Sequence, residues 1–413
     1  MAIVKPFKAI RPKKDEVGKI ASPPYDVMNS EEAREYVKDR PLSFMQVVKP
    51  EVDLPEDTDI YDEAVYDKGR ENLDRLIEEG HLIQEDKEAI YIYRQQMNEH
   101  EQTGIVACAS VDDYINDIIK KHEHTREVKE NDRAKHVETL NANTGPVFLT
   151  YKSRESIKDI INDFINDHES TYDFTDELGV RHILYVVDDD NVIEKLTGEF
   201  DSIDYLYVAD GHHRSAAATR VAEKKREENP DYTGNEEFNY FLSVIFPDDE
   251  MLIMDYNRAV KDLAGLAEDE FMDSISEKFS IDENDGKYSP EGRHYFGMYI
   301  NGKWYKLKAK QDIIDSDPVK SLDVYILQEH LLSPVLGIGD PRKDERVKFI
   351  GGIRGLEELE RLVDSGKFSV AFSMFPTSIR QLMEVADAGR VMPPKSTWFE
   401  PKLRSGLFTH RLS

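Results

Sequence analysis

The sequence contains a single cysteine, Cys108, among 413 residues. One thiol cannot form an intrachain disulfide or a cysteine-based zinc site, so both are excluded and a reducing compartment is favoured. The apolar neighbourhood of this residue, IVACAS, indicates that its side chain packs in a core.

Long apolar runs are also missing. No stretch approaches the roughly 18 apolar residues that a transmembrane helix needs. The first residues, MAIVKPFKAIRPKK, lack the continuous apolar segment of a signal peptide. We therefore expect a soluble, cytoplasmic protein with no membrane association.

Basic residues are scarce relative to acidic ones. The chain carries 54 Lys and Arg against 83 Asp and Glu, a formal net charge of −29. Proteins that bind nucleic acids neutralise phosphates with clustered Lys and Arg. The sequence therefore indicates small-molecule partners rather than nucleic acid, and it leaves the oligomeric state open.

The order of apolar patterns predicts a mixed α/β fold. Helical spacing marks residues 61–79, 156–168, 356–364 and 378–389, whereas strand-like runs mark 89–97, 103–111, 182–187, 238–247 and 368–376. Asn301-Gly302 between alternating runs predicts a β-hairpin. The length favours two lobes, which we place at residues 1–257 and 258–413.

The first chemical motif is VADGHHRSAA, residues 208–217, where an apolar run meets a helix-forming segment. A helix start after a strand presents backbone N–H groups and a favourable dipole to an anion. We expect Gly211 to allow close approach of a phosphate and His212, His213 and Arg214 to donate to it. Asp210 is placed to hold a divalent cation such as Mg²⁺.

Two other interpretations of this motif remain open. Asp210 could cap the helix beside solvent-exposed imidazoles. Asp and two His could also ligate a transition metal, although adjacent histidines generally point apart.

The second motif is KHEHTREVKENDR, residues 121–133, in which Glu123 lies between two histidines. Taken alone, it is typical of a solvated charged face. In the third motif, MPPKSTWFEPK, a Pro-Pro pair is followed by Lys395, Ser396 and Thr397. The ammonium and hydroxyl groups of these residues suit the binding of a carboxylate or phosphate. A rigid surface loop anchored by aromatic residues is an equal alternative for this motif.

Together, PPYDV, HEHTREVKENDR, ADGHHR and MPPKSTWFEPKLRSGL resemble a bacterial family catalogued as domain of unknown function 1015. The same landmarks are similar to free serine kinases of the ParB/sulfiredoxin-like superfamily, through His122-Glu123, Asp210–Arg214 and Lys395–Thr397. Gly211, Arg214 and Ala217 also match the G-x-x-R-x-x-A box of ParB-like proteins.

The resemblance implies a ParB/sulfiredoxin-like nucleotide-binding core with an α/β lobe packed after it. It implies nucleotide-phosphate and metal binding by the DGHHR box, catalysis involving Glu123, His122 and Asp210, and a substrate-binding role for Lys395, Ser396 and Thr397. The chain departs from those kinases at Trp398-Phe399, where they carry Arg-His, and it is longer.

The three motifs together with this resemblance imply a kinase that uses Mg²⁺ and ATP or ADP to phosphorylate the hydroxyl of a free amino acid, serine first. No Walker-type phosphate loop is present. A nucleotide sensor without turnover and a nucleotide phosphohydrolase are the alternatives. The sequence leaves open the phosphoryl donor and the exact acceptor.

Overall fold

The computed structural model describes residues 1–413 and has the mixed α/β architecture that the sequence predicts. Its contacts divide the chain into two units. The first unit comprises Met1–Met251 and Pro401–Ser413, and the second comprises Leu252–Glu400. The domains that the sequence analysis places at 1–257 and 258–413 stay a prediction. The contacts of the structure assign residues 252–257 to the second unit and residues 401–413 to the first. We call Pro401–Ser413 the return segment.

A nine-stranded mixed sheet forms the centre of the first unit. The strands up to the second unit are β1 Val4–Lys5, β2 Ile10–Pro12, β3 Leu82–Gln84, β4 Ile90–Met97, β5 His100–Ser110, β6 Ile119–Lys120, β7 Ala142–Asn143, β8 Val147–Tyr151, β9 Tyr172–Thr175, β10 Arg181–Val187, β11 Leu206–Asp210 and β12 Tyr240–Pro247. The sheet order is β6-β11-β8-β12-β5-β4-β10-β9, with β1 also paired to β5. The β6–β11 and β8–β12 pairs are parallel and the others antiparallel.

Helices of the first unit bury apolar stripes against this sheet and against one another. They are α1 Val17–Ile20, α2 Ser30–Val37, α3 Met45–Val48, α4 Glu63–Glu78, α5 Val111–Ile115, α6 Glu127–Leu140, α7 Glu155–Asp167, α8 Asp190–Asp201 and α9 His212–Glu228. In α7, Ile157, Ile161 and Phe164 recur at helical spacing and pack into the main core. Cys108 is fully buried in β5.

The second unit is built on a six-stranded antiparallel sheet of order β15-β17-β16-β19-β14-β18. Its strands are β13 Leu252–Met254, β14 Tyr256–Val260, β15 Phe279–Asn284, β16 Tyr295–Ile300, β17 Lys303–Ala309, β18 Val347–Gly351, β19 Val370–Met374 and β20 Trp398–Glu400. Its α-helices are α10 Glu268–Ser276, α11 Asp323–Leu327, α12 Ser333–Leu336, α13 Gly355–Asp364 and α14 Ile379–Asp387. The residues Gln328–Leu332 between α11 and α12 form a π-helical turn.

One sequence expectation about this unit is wrong. The proline and glycine content of residues 390–407 predicts a loop without regular structure. In the structure Trp398–Glu400 forms β20, because Leu252–Met254 supplies an antiparallel partner strand. None of the helices combines the length and the apolar character that a bilayer crossing requires.

Candidate functional site

The DGHHR motif lies where β11 ends and α9 begins, as the sequence predicts. Asp210 is the last residue of β11, and a register shift between Val208 and Asp210 bends the strand there. Gly211 is the N-cap residue of α9 and has a φ of 97° and a ψ of 27°. A non-glycine residue adopts this left-handed conformation only at a cost, so glycine suits the junction between strand and helix.

The first turn of α9 has no capping side chain and no acidic residue. An N-cap residue normally accepts a hydrogen bond from the first turn, and glycine has no side chain to do so. Exposed N–H groups at a helix N-terminus attract anions. The helix start therefore has the backbone chemistry of an anion site.

Asp210 pairs with a residue of the return segment. The Lys402 ammonium donates to Oδ2 of Asp210 over 3.0 Å. Burial opposes ionisation of the Asp210 carboxyl, but the charges of Lys402 and Arg214 outweigh it and hold its pKa far below the ordinary value. Asp210 therefore remains a carboxylate at any physiological pH.

Sequence reasoning missed Lys402. The residue falls within the quoted third motif, but it follows Asp210 by 192 positions, and no local pattern connects the two. Only the packing of the return segment shows this contact.

Two buried imidazoles face each other beside Asp210. The rings of His122 and His212 lie edge to face with centroids 4.4 Å apart. Burial lowers the pKa of His122 to about 4, despite the attraction of Asp210, and it lowers the pKa of His212 well below its usual value. Both rings are therefore neutral at pH 7, and Nδ1 of His122 and Nε2 of His212 have no hydrogen-bond partner.

His213 points to a different neighbour from His212. Its Nε2 accepts a hydrogen bond from the backbone N–H of Arg126 over 3.1 Å. An accepting Nε2 places the ring proton on Nδ1 in the neutral form. The two adjacent histidines thus contact separate residues, as expected for neighbours on a helix.

The second motif lies beside this helix start. Strand β6 runs parallel to β11, with Lys120 opposite Tyr207, so Glu123 and Asp210 each come three residues after a paired position. Glu123 lies between His122 and Arg126, which both contact α9, and its own side chain is exposed. The structure therefore brings the segment containing Glu123 next to the DGHHR motif.

The side chain of Arg214 lies next to Gly211. Its Nη1 donates to the carbonyl of Pro146, and a Cβ on Gly211 would lie 3.5 Å from its guanidinium. Together with Tyr25, Arg133 and Ser405, Arg214 lines a cavity of about 30 Å³. That volume can accommodate water molecules but not a nucleotide.

The residues around the start of α9 could bind Mg²⁺ only together with oxygen atoms of a bound substrate or of water. The structure contains no group of three or more His, Cys, Asp or Glu arranged to hold a metal ion. Mg²⁺ is often bound by one or two carboxylates together with substrate phosphates and water. Asp210 could supply such a carboxylate, whereas a preformed transition-metal site is absent.

Residues 392–400 of the third motif lie in the second unit, whereas Pro401 and Lys402 belong to the return segment of the first. Lys395 is exposed and has a left-handed φ of 60°, and its ammonium lies 5.6 Å from the centre of the Tyr256 ring. The Ser396 side chain is buried, and its hydroxyl donates to the carbonyl of Pro393 over 2.5 Å. Thr397 is half-buried. The substrate-binding role of these three residues stays a prediction.

Three solved structures show a distant resemblance to the chain. A free serine kinase in complex with AMP is 14% identical over 74% of this chain and 91% of its own, with a TM-score of 0.36. A conserved hypothetical protein from Pyrococcus furiosus is 13% identical over 74% and 95%, with a TM-score of 0.35. SbnI with a C-terminal truncation, from Staphylococcus aureus, is 10% identical over 74% and 87%, with a TM-score of 0.34.

No curated protein matches the chain. The family described as "Protein of unknown function (DUF1015)" matches residues 4–325, which include two of the three motifs. On this match over most of its length, the chain belongs to the DUF1015 family.

Proposed function

We propose that this protein is a kinase that transfers a phosphoryl group from ATP or ADP to the hydroxyl of a free amino acid, serine first. The observation that carries the proposal is the uncapped start of α9, where Gly211 leaves backbone N–H groups beside His212, His213 and Arg214. This combination of donors suits nucleotide phosphates.

The neighbouring segment supports phosphoryl transfer rather than simple phosphate binding. Glu123 lies between residues that contact the first two histidines of α9. In the proposed step, the substrate oxygen forms a bond to phosphorus while the bond from phosphorus to the nucleotide breaks. The carboxylate of Glu123 takes the hydroxyl proton, and the nucleotide leaves with the electron pair.

Asp210, His122 and His212 have supporting roles in this proposal. Bound Mg²⁺ would neutralise phosphate charge, and the ionised carboxylate of Asp210 is the group that would hold it. In the neutral imidazole of His122, the other ring nitrogen bonds to the Val208 backbone, so the unpartnered Nδ1 can accept from the acceptor hydroxyl, while the unpartnered Nε2 of His212 is available to a phosphate. Lys395, Ser396 and Thr397 are assigned to the substrate on motif resemblance alone.

A nucleotide sensor without turnover is the second candidate. The specific observation in its favour is that Lys402 already neutralises Asp210. A carboxylate held by an ammonium leaves phosphate binding to the helix start and requires no metal.

Product analysis separates these functions. The protein is incubated with Mg²⁺, with ATP or ADP, and with serine, threonine and other hydroxylated metabolites, and new phosphoesters are sought by mass spectrometry. A phosphorylated amino acid supports the kinase. Free phosphate without an acceptor identifies a phosphohydrolase, and nucleotide binding without any product identifies a sensor; either result overturns the proposal.

Replacing Glu123 tests the chemical step. Glu123→Gln keeps the shape of the side chain but removes the base, so turnover should fall by roughly 10²- to 10⁴-fold while nucleotide affinity persists. Glu127→Gln, at the exposed first residue of α6, is the matched control and should leave turnover unchanged. Normal turnover in the Glu123 variant would remove this residue from the mechanism.

A further inference from the structure

The second unit contains a cavity of about 340 Å³ that the proposed kinase chemistry does not use. It lies among strands β14 and β18, the helix that contains the π-helical turn, and residues 391–394. Most of its lining is apolar, including Val324, Leu332, Phe349, Met392 and Pro394. The volume suits a small organic molecule rather than a few waters.

One buried cation, Arg258, also lines this cavity. Arg258 lies in the middle of β14, opposite Phe349 on one side and Phe372 on the other. Side chains alternate along a strand, and the neighbouring Ala259 packs into the apolar cluster formed with α13. Arg258 therefore points to the other face of the sheet, and only 4% of the residue is exposed.

No carboxylate neutralises Arg258. Its Nη2 donates to the backbone carbonyl of Lys395 over 2.9 Å, and its Nη1 donates to that of Tyr256. Burial lowers its pKa to about 10; the opposing contribution comes from the Tyr256 phenol, and no carboxylate contributes. A buried charge is usually paired, because an unpaired one is costly.

The neutral carbonyl partners leave donor capacity unused. A guanidinium has more N–H groups than the two engaged here, and their fork geometry matches a carboxylate. The ring of Phe349 lies 5.4 Å from the guanidinium carbon and supports its flat face. Arg258 is thus held in place by its surroundings while its charge remains without a counter-ion.

The backbone around the cavity is also unusual. Gln328 and Leu332, which line it, belong to the π-helical turn, a conformation frequent at functional sites. Lys395, whose carbonyl accepts from Arg258, has the left-handed φ of 60° that non-glycine residues rarely adopt. Both irregularities border the same side chain and the same space.

We propose that this cavity binds a small carboxylic acid with an apolar body, whose carboxylate pairs with Arg258 and whose body lies against Val324, Leu332 and Met392. A singly charged ligand fits best, because Glu329 and Asp340 also line the cavity and would repel additional negative charge. The site belongs to the second unit alone, and it rests on no step of the proposed phosphoryl transfer.

Matched carboxylates and amides test the proposal with the unmodified protein. Hexanoate and 3-phenylpropanoate are titrated to about 10 mM in NMR experiments, roughly tenfold above a 1 mM Kd. Hexanamide and 3-phenylpropanamide have the same shapes without the charge. We expect saturable binding of the acids and little binding of the amides.

Three variants locate the binding site. Arg258→Gln should weaken acid binding by about 10-fold or more, because a charge-assisted pair is lost. Leu332→Trp keeps the arginine and fills the cavity, so it should also weaken binding. Arg361→Gln, at an exposed position of α13 where Arg361 pairs with Glu358, is the matched control and should bind normally.

The outcomes are decisive even if one variant does not fold. Absence of saturable acid binding, equal binding of acids and amides, or unchanged affinity in Leu332→Trp would each overturn the proposal. Inorganic phosphate is also tested as a competitor of bound hexanoate. Displacement by phosphate at a lower concentration than by a competing carboxylate would overturn the choice of a carboxylic acid as the ligand. Selective acid binding that is lost in Leu332→Trp supports the proposal whether or not Arg258→Gln folds.

Discussion

Buried histidines define the behaviour of the first unit at the scale of single residues. Burial lowers the pKa of His122 to about 4 and that of His136 to about 3. His136 lies in α6, and its Nε2 bonds to the carbonyl of Val47 over 2.9 Å. These imidazoles resist protonation in the folded protein, although the same side chains protonate near pH 6.5 when unfolded.

Acid should therefore destabilise the protein well above the pH at which carboxylates titrate. Between pH 6.5 and the lowered pKa values, the unfolded chain binds more protons than the folded one, so stability falls as the pH falls. Each such histidine contributes at most about 1.4 kcal/mol per pH unit. Urea unfolding at pH 7, 6 and 5 measures the slope.

His136→Gln isolates one contribution to that slope. Glutamine keeps a donor for Val47 but does not titrate, so the loss of stability between pH 6.5 and 5 should become smaller. The control is His124→Gln, since the His124 side chain is exposed. An identical slope in the His136 variant and the unmodified protein would show that His136 is not responsible.

At the scale of elements, the junction between β11 and α9 depends on one glycine. In Gly211, the φ of 97° is unfavourable for any side chain, and an added Cβ would lie 3.4 Å from Cα of Val147 and 3.5 Å from the Arg214 guanidinium. The conformation thus disfavours any side chain, whereas a Cβ by itself would make only ordinary van der Waals contacts with Val147 and Arg214.

Gly211→Ala should destabilise the protein by about 1–2 kcal/mol from backbone strain, and the added Cβ should displace neither Val147 nor Arg214. Gly179 offers a matched control, because its φ is 81° and a Cβ there would meet nothing within 4 Å. Gly179→Ala should therefore show a loss of similar size. A much larger loss for Gly211→Ala than for Gly179→Ala in denaturant unfolding would contradict the argument that backbone strain alone decides the effect.

Patterns of neighbouring residues in the sequence predicted many helices, strands and turns correctly. The elements that these patterns missed depend on contacts between residues far apart in the sequence. The Asn301-Gly302 turn has left-handed φ values of 48° and 76°, as expected for the predicted hairpin. Helix α4 ends before Gly80 for a similar reason. The strand Trp398–Glu400, by contrast, depends on a partner about 150 residues earlier, which no local pattern reveals.

The same distinction applies to the candidate site. The arrangement of strand, Asp210, Gly211 and helix could be predicted from adjacent residues. The pairing of Lys402 with Asp210 and the facing rings of His122 and His212 could not, because they require the tertiary fold. The unpaired charge of Arg258 is also invisible in sequence, since most arginines in a chain are solvated or paired.

At the scale of the whole molecule, the return segment completes the first unit. Arg404 of this segment is buried and forms ion pairs with Asp176 over 3.4 Å and with Glu177 over 2.8 Å. Asp176 also bonds to His182 over 3.0 Å, and its side chain is 3% exposed. Removal of the guanidinium would therefore leave a buried carboxylate short of a partner.

Arg404→Met should destabilise the protein by about 3–5 kcal/mol, the usual cost of breaking a buried ion pair from one side. Arg181→Met is the matched control, because Arg181 pairs with Asp173 at the surface, where an ion pair contributes less than about 1 kcal/mol. Chemical denaturation of both variants makes the comparison. Similar small losses would show that the return segment is held by other contacts.

The second unit is inserted between two parts of the first. Its first and last strands pair with each other, with Leu252 directly opposite Glu400. The connections at 251 and 401 are therefore close in space, as is common where inserted domains are tolerated.

Replacing 252–400 with Gly-Gly should yield a folded first unit that retains the contact between Lys402 and Asp210. The comparison is residues 1–251 without the return segment, which should unfold at lower denaturant concentration. Circular dichroism and urea unfolding report both results. Cooperative folding of 1–251 with undiminished stability would contradict the role assigned to the return segment.

The position of Lys402 has a consequence during protein synthesis. Asp210 emerges from the ribosome 192 residues before the lysine that neutralises it. At about 5–20 residues per second, that delay is roughly 10–40 s. Throughout it, Asp210 lacks this ammonium and keeps only Arg214 as a neighbouring cation. Under the proposed function, the nascent chain is therefore expected to bind a metal-free nucleotide more weakly until translation has passed residue 402.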